Sequence, residues 1–233
     1  MQPLAERKQK ILCSLIAEHI KSHDTVSSKM LSQSFGLSSA TMRNEMGELE
    51  RSGYIFQPHT SAGRVPTEEG YRFYVKHHIA NAKIGRRESQ AIASLLDQEI
   101  NPRRVARLLA QLTEQTMYIG FGKHDVYVTG LSYLFSKPEF ASTSLGTHIA
   151  EILDNLENGI TALFDDVETL SVLIGNETPF SPFCSTILFR ARTSQHELLF
   201  GLLGPMRMDY SKNYSLMRYA HSEIERRFEI CAQ

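Results

Sequence analysis

Apolar side chains recur at helical spacing at the start of the chain. Their positions within residues 4–22 share one side of a helix, which predicts an amphipathic helix there. They are Leu4, Ile11, Leu12, Leu15, Ile16 and Ile20. Ser27 is a suitable N-cap for a second, short helix, because its hydroxyl can accept a hydrogen bond from a free N–H of the first turn. Gly36 ends that helix, since glycine adopts the left-handed C-terminal conformation without strain.

A third helix is predicted directly after this glycine. Ser38 or Ser39 can cap its start, and Gly53 closes it just after Ser52. Its buried side would be formed by Met42, Met46 and Leu49. Helices joined by a tight glycine turn are typical of a helix-turn-helix, in which the helix after the turn is the recognition helix.

Two short apolar segments, residues 54–57 and 64–66, flank the turn-forming residues 58–63. This pattern predicts two strands joined by a loop. Because the hairpin follows the third helix directly, it is typical of the wing of a winged helix-turn-helix. Thr67 can then cap a fourth helix.

Beyond residue 85, helical and strand-like segments are interspersed without an internal repeat. We expect helices over residues 88–100, from Asn101 onwards, over 145–156 and at the C-terminus. The strand candidates are residues 117–121, 126–129, 170–174, 186–189 and 198–203. Strands framed by helices predict an α+β domain. We therefore expect a winged-helix DNA-binding domain over 1–83, a helical linker or dimerisation segment over 84–116 and an α+β regulatory domain over 117–233.

The net charge of −1 conceals an uneven distribution of charged residues. Residues 1–87 contain 13 Lys and Arg against 8 Asp and Glu, whereas residues 88–187 contain 5 against 13. A basic N-terminal part and an acidic body are typical of a DNA-binding protein with a separate regulatory domain. No apolar run reaches the roughly 18 residues that a membrane helix needs, and the first residues do not resemble a signal peptide. We therefore expect a cytoplasmic protein that does not contact a membrane.

The sequence contains no spacing typical of a catalytic or metal site. The nine histidines do not form H-E-x-x-H, and neither a P-loop nor G-x-S-x-G is present. Cys13, Cys184 and Cys231 lie far apart in the sequence. The sequence therefore predicts a protein that is not an enzyme and that binds no metal and no cofactor.

The outward side of the third helix carries the strongest candidates for DNA recognition. With its methionines inward, helical geometry turns small and polar side chains outward. Arg43 can form two hydrogen bonds with guanine and Asn44 two with adenine, and small residues allow close approach to the bases. The candidate contacts on this helix are Ser38, Ser39, Ala40, Thr41, Arg43, Asn44 and Arg51. An ordinary surface helix can carry similar residues, but the capped helices before it and the hairpin after it favour DNA binding.

The predicted wing contains many hydrogen-bond donors, and no carboxylate lies between Tyr54 and Thr67. Hydroxyl groups can bind phosphate, and an arginine can enter the minor groove. The candidate contacts on the wing are Gln57, His59, Thr60, Ser61 and Arg64. Three lysines of the predicted helices can add phosphate contacts, namely Lys8, Lys10 and Lys29.

Two blocks of the sequence resemble one known family. The first runs from Leu37 to Val75 and contains L-S-S-A-T-M-R-N-E-M and Q-P-H-T-S-A-G-R-V-P-T, and the second is G-P-M-R-M-D-Y at Gly204–Tyr210. They are similar to the N-terminal and C-terminal regions of the HrcA family of heat-inducible transcription repressors. The resemblance implies a homodimer that binds an inverted-repeat operator upstream of chaperone genes. It also implies a GAF-like C-terminal domain and a GroEL-type chaperonin as a partner.

The chain is shorter than members of this family usually are. Residues 116–122 run almost directly into residues 123–127, where the family usually has two further strands and an inserted dimerisation domain. We therefore expect residues 117–233 to form a reduced GAF-like domain whose sheet edges need cover. How the shortened chain dimerises stays open.

Three functions are compatible with the sequence. The first is a dimeric repressor of heat-shock genes. The second is a winged-helix regulator that has a different operator and whose GAF-like domain senses a small molecule, which an apolar pocket with convergent polar groups would support. The third is a protein-docking module that has lost operator binding.

Overall fold

The computed structural model describes residues 4–98, 101–122, 125–138, 152–167, 169–192 and 197–231. The chain divides into two compact units, Met1–Asn81 and Ala82–Gln233, which we describe separately. Residues 145–151 of the helix predicted over 145–156 lie outside the described residues.

The first unit is a winged helix-turn-helix, which confirms the prediction for this part of the chain. In chain order its elements are α1 (Glu6–Ser22), α2 (Ser28–Phe35), α3 (Ser39–Arg51), β1 (Ile55–Phe56), β2 (Val65–Pro66) and α4 (Glu68–His78). The core between the helices is fully apolar at its centre and contains Ile11, Leu12, Leu15, Ile16, Met42 and Leu49.

Side-chain caps fix where these helices begin. The Ser27 hydroxyl accepts a hydrogen bond from the Met30 N–H at 3.2 Å, and the Thr67 hydroxyl accepts one from the Gly70 N–H at 3.1 Å. Gly36 ends α2 in the left-handed conformation, with φ of 62°. Each cap supplies a partner that the first or last helical turn lacks, so the helix boundaries follow from local chemistry.

The hairpin after α3 is anchored at its base to the segment between α1 and α2. The Val26 N–H donates to the Arg64 carbonyl at 2.9 Å, and the Arg64 N–H donates to the Val26 carbonyl at 2.8 Å. Gly63 allows this approach, because a Cβ at that position would lie 2.6 Å from the Val26 carbonyl oxygen. The hairpin is thus the wing, residues 55–66, and its base is held by backbone hydrogen bonds.

The second unit is an α+β domain, as predicted. Its helices are α5 (Arg86–Gln98), α6 (Pro102–Thr113), α7 (Leu131–Phe135), α8 (Leu156–Asp166) and α9 (Tyr210–Cys231). Its strands are β3 (Thr116–Gly120), β4 (Val126–Thr129), β5 (Ser171–Ile174), β6 (Cys184–Arg192) and β7 (Glu197–Pro205). They form one antiparallel sheet in the order β4-β3-β7-β6-β5.

Alternate residues of the central strands serve two different cores. On one face, Phe189 of β6 stacks on Phe200 of β7 at 5.1 Å between ring centroids and contacts His221 of α9 at 4.8 Å. Leu188, the preceding residue, belongs to a second core with residues of α7 and α8. This follows from the two-residue period of a strand, which turns neighbouring side chains to opposite faces.

The face towards α8 is filled by side chains. The Tyr118 ring lies against Gly201, where an added Cβ would be 1.9 Å from a ring carbon. The Tyr118 ring also packs edge-on against Phe180 at 5.4 Å. Further buried members of this core are Leu134, Ile152, Leu156, Ile160, Leu163 and Phe164.

One edge of the sheet is partly covered by side chains of α6. The Arg107 Nε–H donates to the Tyr127 hydroxyl of β4 at 2.8 Å, and the Arg103 guanidinium lies 5.3 Å from the centroid of the same ring. Helices α5 and α6 belong to the second unit, and Arg227 of α9 forms an ion pair with Asp97 of α5. A role of residues 84–116 as a linker or in dimerisation stays a prediction.

Candidate nucleic-acid interface

The turn between α2 and α3 holds the start of the recognition helix, which is α3. The Ser38 hydroxyl caps α3 by accepting a hydrogen bond from the Thr41 N–H at 3.0 Å. Ser38 and Thr41 also join their hydroxyl groups at 2.8 Å. A hydrogen bond of 3.2 Å between the hydroxyl groups of Ser28 and Ser39 connects α2 to α3. These hydroxyl groups are therefore already used in positioning the helix.

The structure places the predicted recognition residues on one accessible side of α3. Met42, Met46 and Leu49 are buried, as the helical pattern predicts. The exposed candidates are Ser38, Ala40, Thr41, Arg43, Asn44 and Arg51, and Ser39 is half-buried. Most of them lie in the first half of the helix, which is the part that enters the major groove in helix-turn-helix proteins. Direct contact of any of them with DNA stays a prediction.

Three carboxylates of α3 each have a basic partner from elsewhere in the first unit. Glu45 pairs with Arg7, and Glu48 pairs with Lys8. Glu50 pairs with Arg64, whose Nε lies 3.0 Å from Oε2 of the glutamate. Sequence analysis missed these three pairs.

Two lysines predicted to contact phosphate are engaged in ion pairs. The hydrogen bond from Lys8 and its positive charge hold the pKa of the Glu48 carboxyl below its usual value. Lys10 forms an ion pair of 2.7 Å with Glu6 within α1. Lys29 is exposed on α2.

The wing tip, residues 59–61, is exposed, with the side chains of His59, Thr60 and Ser61 accessible to solvent. Gln57 lies behind it and is half-buried. Its side-chain amide donates to the carbonyl groups of Thr60 and Ala62, both at 2.9 Å. Among the predicted wing contacts, the three residues of the tip are thus exposed, whereas the side chain of Gln57 closes the loop.

Two grooves lie on the surface of the second unit. One groove of about 390 Å³ is lined by Thr169, Arg190, Arg192 and Glu225, and another of about 390 Å³ lies between α5 and α6.

Nowhere in the described residues do three or more His, Cys, Asp or Glu side chains come together to hold a metal ion. Among the described helices, none is long and apolar enough to cross a membrane.

The fold of the first unit and the accessible side of α3 assign the protein to the class of winged helix-turn-helix proteins. Residues 13–67 match the DeoR-like helix-turn-helix domain, and residues 69–213 match the HrcA protein C terminal domain. Because the second match alone covers more than half of the chain, the chain belongs to the HrcA family.

Similar proteins support this assignment. The heat-inducible transcription repressor HrcA of Acetivibrio thermocellus is 44% identical over 112 residues, which is 47% of this chain and 31% of the relative. The protein of the same name from Parafrankia sp. is 41% identical over 124 residues, which is 51% of this chain and 37% of the relative. The matched segment thus spans about a third of the length of these relatives.

A solved structure shares the fold over nearly the whole chain. The crystal structure of a hypothetical protein at 2.2 Å resolution superimposes with a TM-score of 0.74 at 19% identity, covering 97% of both chains. This likeness concerns the fold alone.

Proposed function

We propose that this chain is a cytoplasmic, DNA-binding transcriptional repressor of heat-shock genes, including chaperone genes. The first unit binds an inverted-repeat operator, and the second unit serves dimerisation and regulation. A GroEL-type chaperonin is the proposed protein partner. The relatives are named heat-inducible transcription repressors, which supports this choice of target genes.

One observation carries the proposal, namely the accessible side of α3. Arg43 and Asn44 are exposed next to each other in the first half of a helix whose opposite side is buried. Ala40, also exposed, leaves space for base edges close to the helix. Arginine and asparagine are the side chains that form paired hydrogen bonds with guanine and adenine in the major groove.

A homodimer accounts for the inverted repeat in this proposal. Two copies related by a twofold axis present two recognition helices to two half-sites with the same symmetry, about 34–36 Å or a multiple of that apart. The surface of α5 and α6, within the predicted dimerisation segment, is the proposed site of contact between the copies.

The small-molecule alternative finds little support in the described residues. A sensing domain needs an apolar cavity with convergent polar groups. The sheet face towards α8 is instead filled by Tyr118, Phe180 and the leucine and isoleucine side chains around them. We therefore retain DNA binding and repression as the proposed function.

A gel-shift titration tests the proposal. The purified protein is titrated on a duplex with the inverted-repeat operator of the HrcA family and on a scrambled duplex, at several salt concentrations. We expect a preference for the operator of about 10³-fold or more, because specific binding typically exceeds non-specific binding by 10³–10⁷. Equal binding to both duplexes contradicts an HrcA-type operator, and binding to neither supports the protein-docking alternative.

A further inference from the structure

We infer that Arg64 is a positioning residue that fastens the wing to the recognition helix through Glu50, and that it does not itself contact DNA. Sequence analysis placed this arginine among the DNA contacts. The inference rests on the proposed function insofar as it concerns a surface that binds DNA.

The Arg64 side chain folds back onto the protein. Its Nε–H donates to Oε2 of Glu50 at 3.0 Å, and only 18% of the side chain is exposed. The backbone N–H and carbonyl groups of Arg64 are both hydrogen-bonded to Val26. An arginine that reaches a phosphate or the minor groove must extend its guanidinium away from the protein. With Nε bound to Glu50 and most of the side chain covered, Arg64 would have to leave its present position to extend fully to DNA.

The charges of α3 explain why this ion pair matters for DNA binding. The recognition helix carries three glutamates, Glu45, Glu48 and Glu50, against two arginines. Unpaired carboxylates on a helix in the major groove repel the phosphates on both sides. Each glutamate has a basic partner in the structure. In this inference Arg64 supplies the charge that makes the C-terminal end of α3 compatible with DNA.

Gln57, like Arg64, holds the wing in place with its side chain. Both donors of its amide are directed to carbonyl groups of the loop, at 2.9 Å each. Gln57 and Arg64 therefore hold the wing from its inner side. The surface left for DNA is the wing tip, which comprises His59, Thr60 and Ser61.

A double-mutant cycle separates positioning from direct contact. The variants are Arg64→Gln, Glu50→Gln and the double variant, in which two neutral amides can still share a hydrogen bond. If Arg64 positions the wing and compensates Glu50, Arg64→Gln weakens DNA binding about tenfold, as expected for contacting, coupled residues. The double variant then returns to within about threefold of the wild type.

Salt dependence provides a readout that a purely structural defect does not change. Each phosphate that a basic side chain neutralises contributes about 0.9 to the slope of log K against log salt. We expect the double variant to keep the wild-type slope, because no phosphate contact is lost. A double variant that binds as weakly as Arg64→Gln, with a slope reduced by about 0.9, overturns the inference and assigns Arg64 to a phosphate.

Two further variants control for charge and folding. Arg72→Gln removes the same charge from the first unit but breaks ion pairs with Glu68 and Glu69 inside α4. We expect a smaller loss of affinity than for Arg64→Gln. The charge-swapped variant R64E/E50R preserves the ion pair. It retains DNA binding if the pair positions the wing and loses binding if Arg64 contacts phosphate, so an unfolded single variant does not prevent a decision.

The cycle is measured on the operator duplex and on the scrambled duplex. Equal binding of the wild type to both contradicts the proposed operator, yet the cycle on either duplex still decides the role of Arg64. Wild-type affinity in all variants overturns the inference, because the ion pair would then have no effect on binding. Absence of any DNA binding by the wild type overturns the proposed function and this inference together.

Discussion

The Tyr118 hydroxyl lies 2.8 Å from Oγ1 of Thr186, and both side chains are fully buried in the sheet of the second unit. Neither group reaches water, so each depends on the other for its hydrogen bond. Loss of one partner leaves a buried polar atom without a partner, which costs about 1–3 kcal/mol.

We therefore predict that Tyr118→Phe and Thr186→Val each lower the free energy of unfolding by about 1–3 kcal/mol. The double variant should be less destabilised than the sum of the two, because it leaves no unsatisfied group. Urea denaturation of the full chain, monitored by far-ultraviolet circular dichroism, measures the three values. Additive losses would show that the two hydroxyl groups are not coupled.

Stability should also fall at alkaline pH because of two buried tyrosines. Burial raises the pKa of Tyr118 and of Tyr210 above the ordinary tyrosine value of about 10. Above pH 10 the unfolded chain releases these protons and the folded chain retains them. The free energy of unfolding then decreases by up to about 1.4 kcal/mol per pH unit for each tyrosine.

Denaturation between pH 9 and pH 11 checks this dependence. The variant Y118F/Y210F should show a shallower decrease than the wild type, although it is less stable at pH 9. The Tyr210 hydroxyl donates to the Met206 carbonyl at 2.6 Å and shares a hydrogen bond of 2.7 Å with Ser185, so the variant starts from a lower stability. Parallel curves for both proteins would mean that other groups cause the alkaline loss.

Arg43→Ala should weaken binding to the operator more than binding to random DNA, and it should reduce discrimination against single-base variants of the operator. We expect a loss of about 1–3 kcal/mol at one base position, because two hydrogen bonds to a base edge are removed. Gel shifts with single-base operator variants measure it. Lys29→Ala is the matched control, since Lys29 is also exposed but lies on α2. Equal losses on operator and random duplexes would contradict base recognition by Arg43.

Gly63→Ala should disrupt the base of the wing. The added methyl group would lie 2.6 Å from the Val26 carbonyl oxygen and 2.7 Å from its carbon, and both atoms are backbone. We expect a destabilisation of at least about 1–3 kcal/mol, typical of overpacking, together with weaker DNA binding. Thermal unfolding and gel shifts measure the two effects.

Gly47→Ala is the control for this glycine substitution. Apart from its chain neighbours and the backbone of α3 itself, no described atom lies within 4 Å of the Cβ position at Gly47, which is inside α3. Alanine there should stabilise the first unit by about 0.5–1 kcal/mol through its higher helix propensity. A stability loss at Gly47 equal to that at Gly63 would argue against steric contact as the cause.

Local chemistry allowed most of the first unit to be predicted from the sequence. Ser27, Ser38 and Thr67 are caps that act within three residues, and the methionines of α3 follow the helical period. The ion pairs of α3 could not be predicted in this way. Glu45 and Arg7 are 38 residues apart in the sequence, and their contact depends on how α1 packs on α3.

The role of Gln57 was missed for a related reason. A glutamine in a polar loop resembles any other donor in the sequence, and only the course of the loop shows which carbonyl groups its amide meets. The second unit was predicted as α+β from its strand and helix pattern. Its strand order depends on pairings between distant segments, such as β3 with β7, which local periodicity does not encode.

The two backbone hydrogen bonds between Val26 and Arg64 have a thermodynamic consequence. They hold the wing in place without DNA, so its residues give up little conformational entropy when a complex forms. Free energy gained from contacts at the wing tip is then retained as affinity. A wing that had to become ordered on the duplex would lose roughly 1–2 kcal/mol per residue in backbone entropy alone.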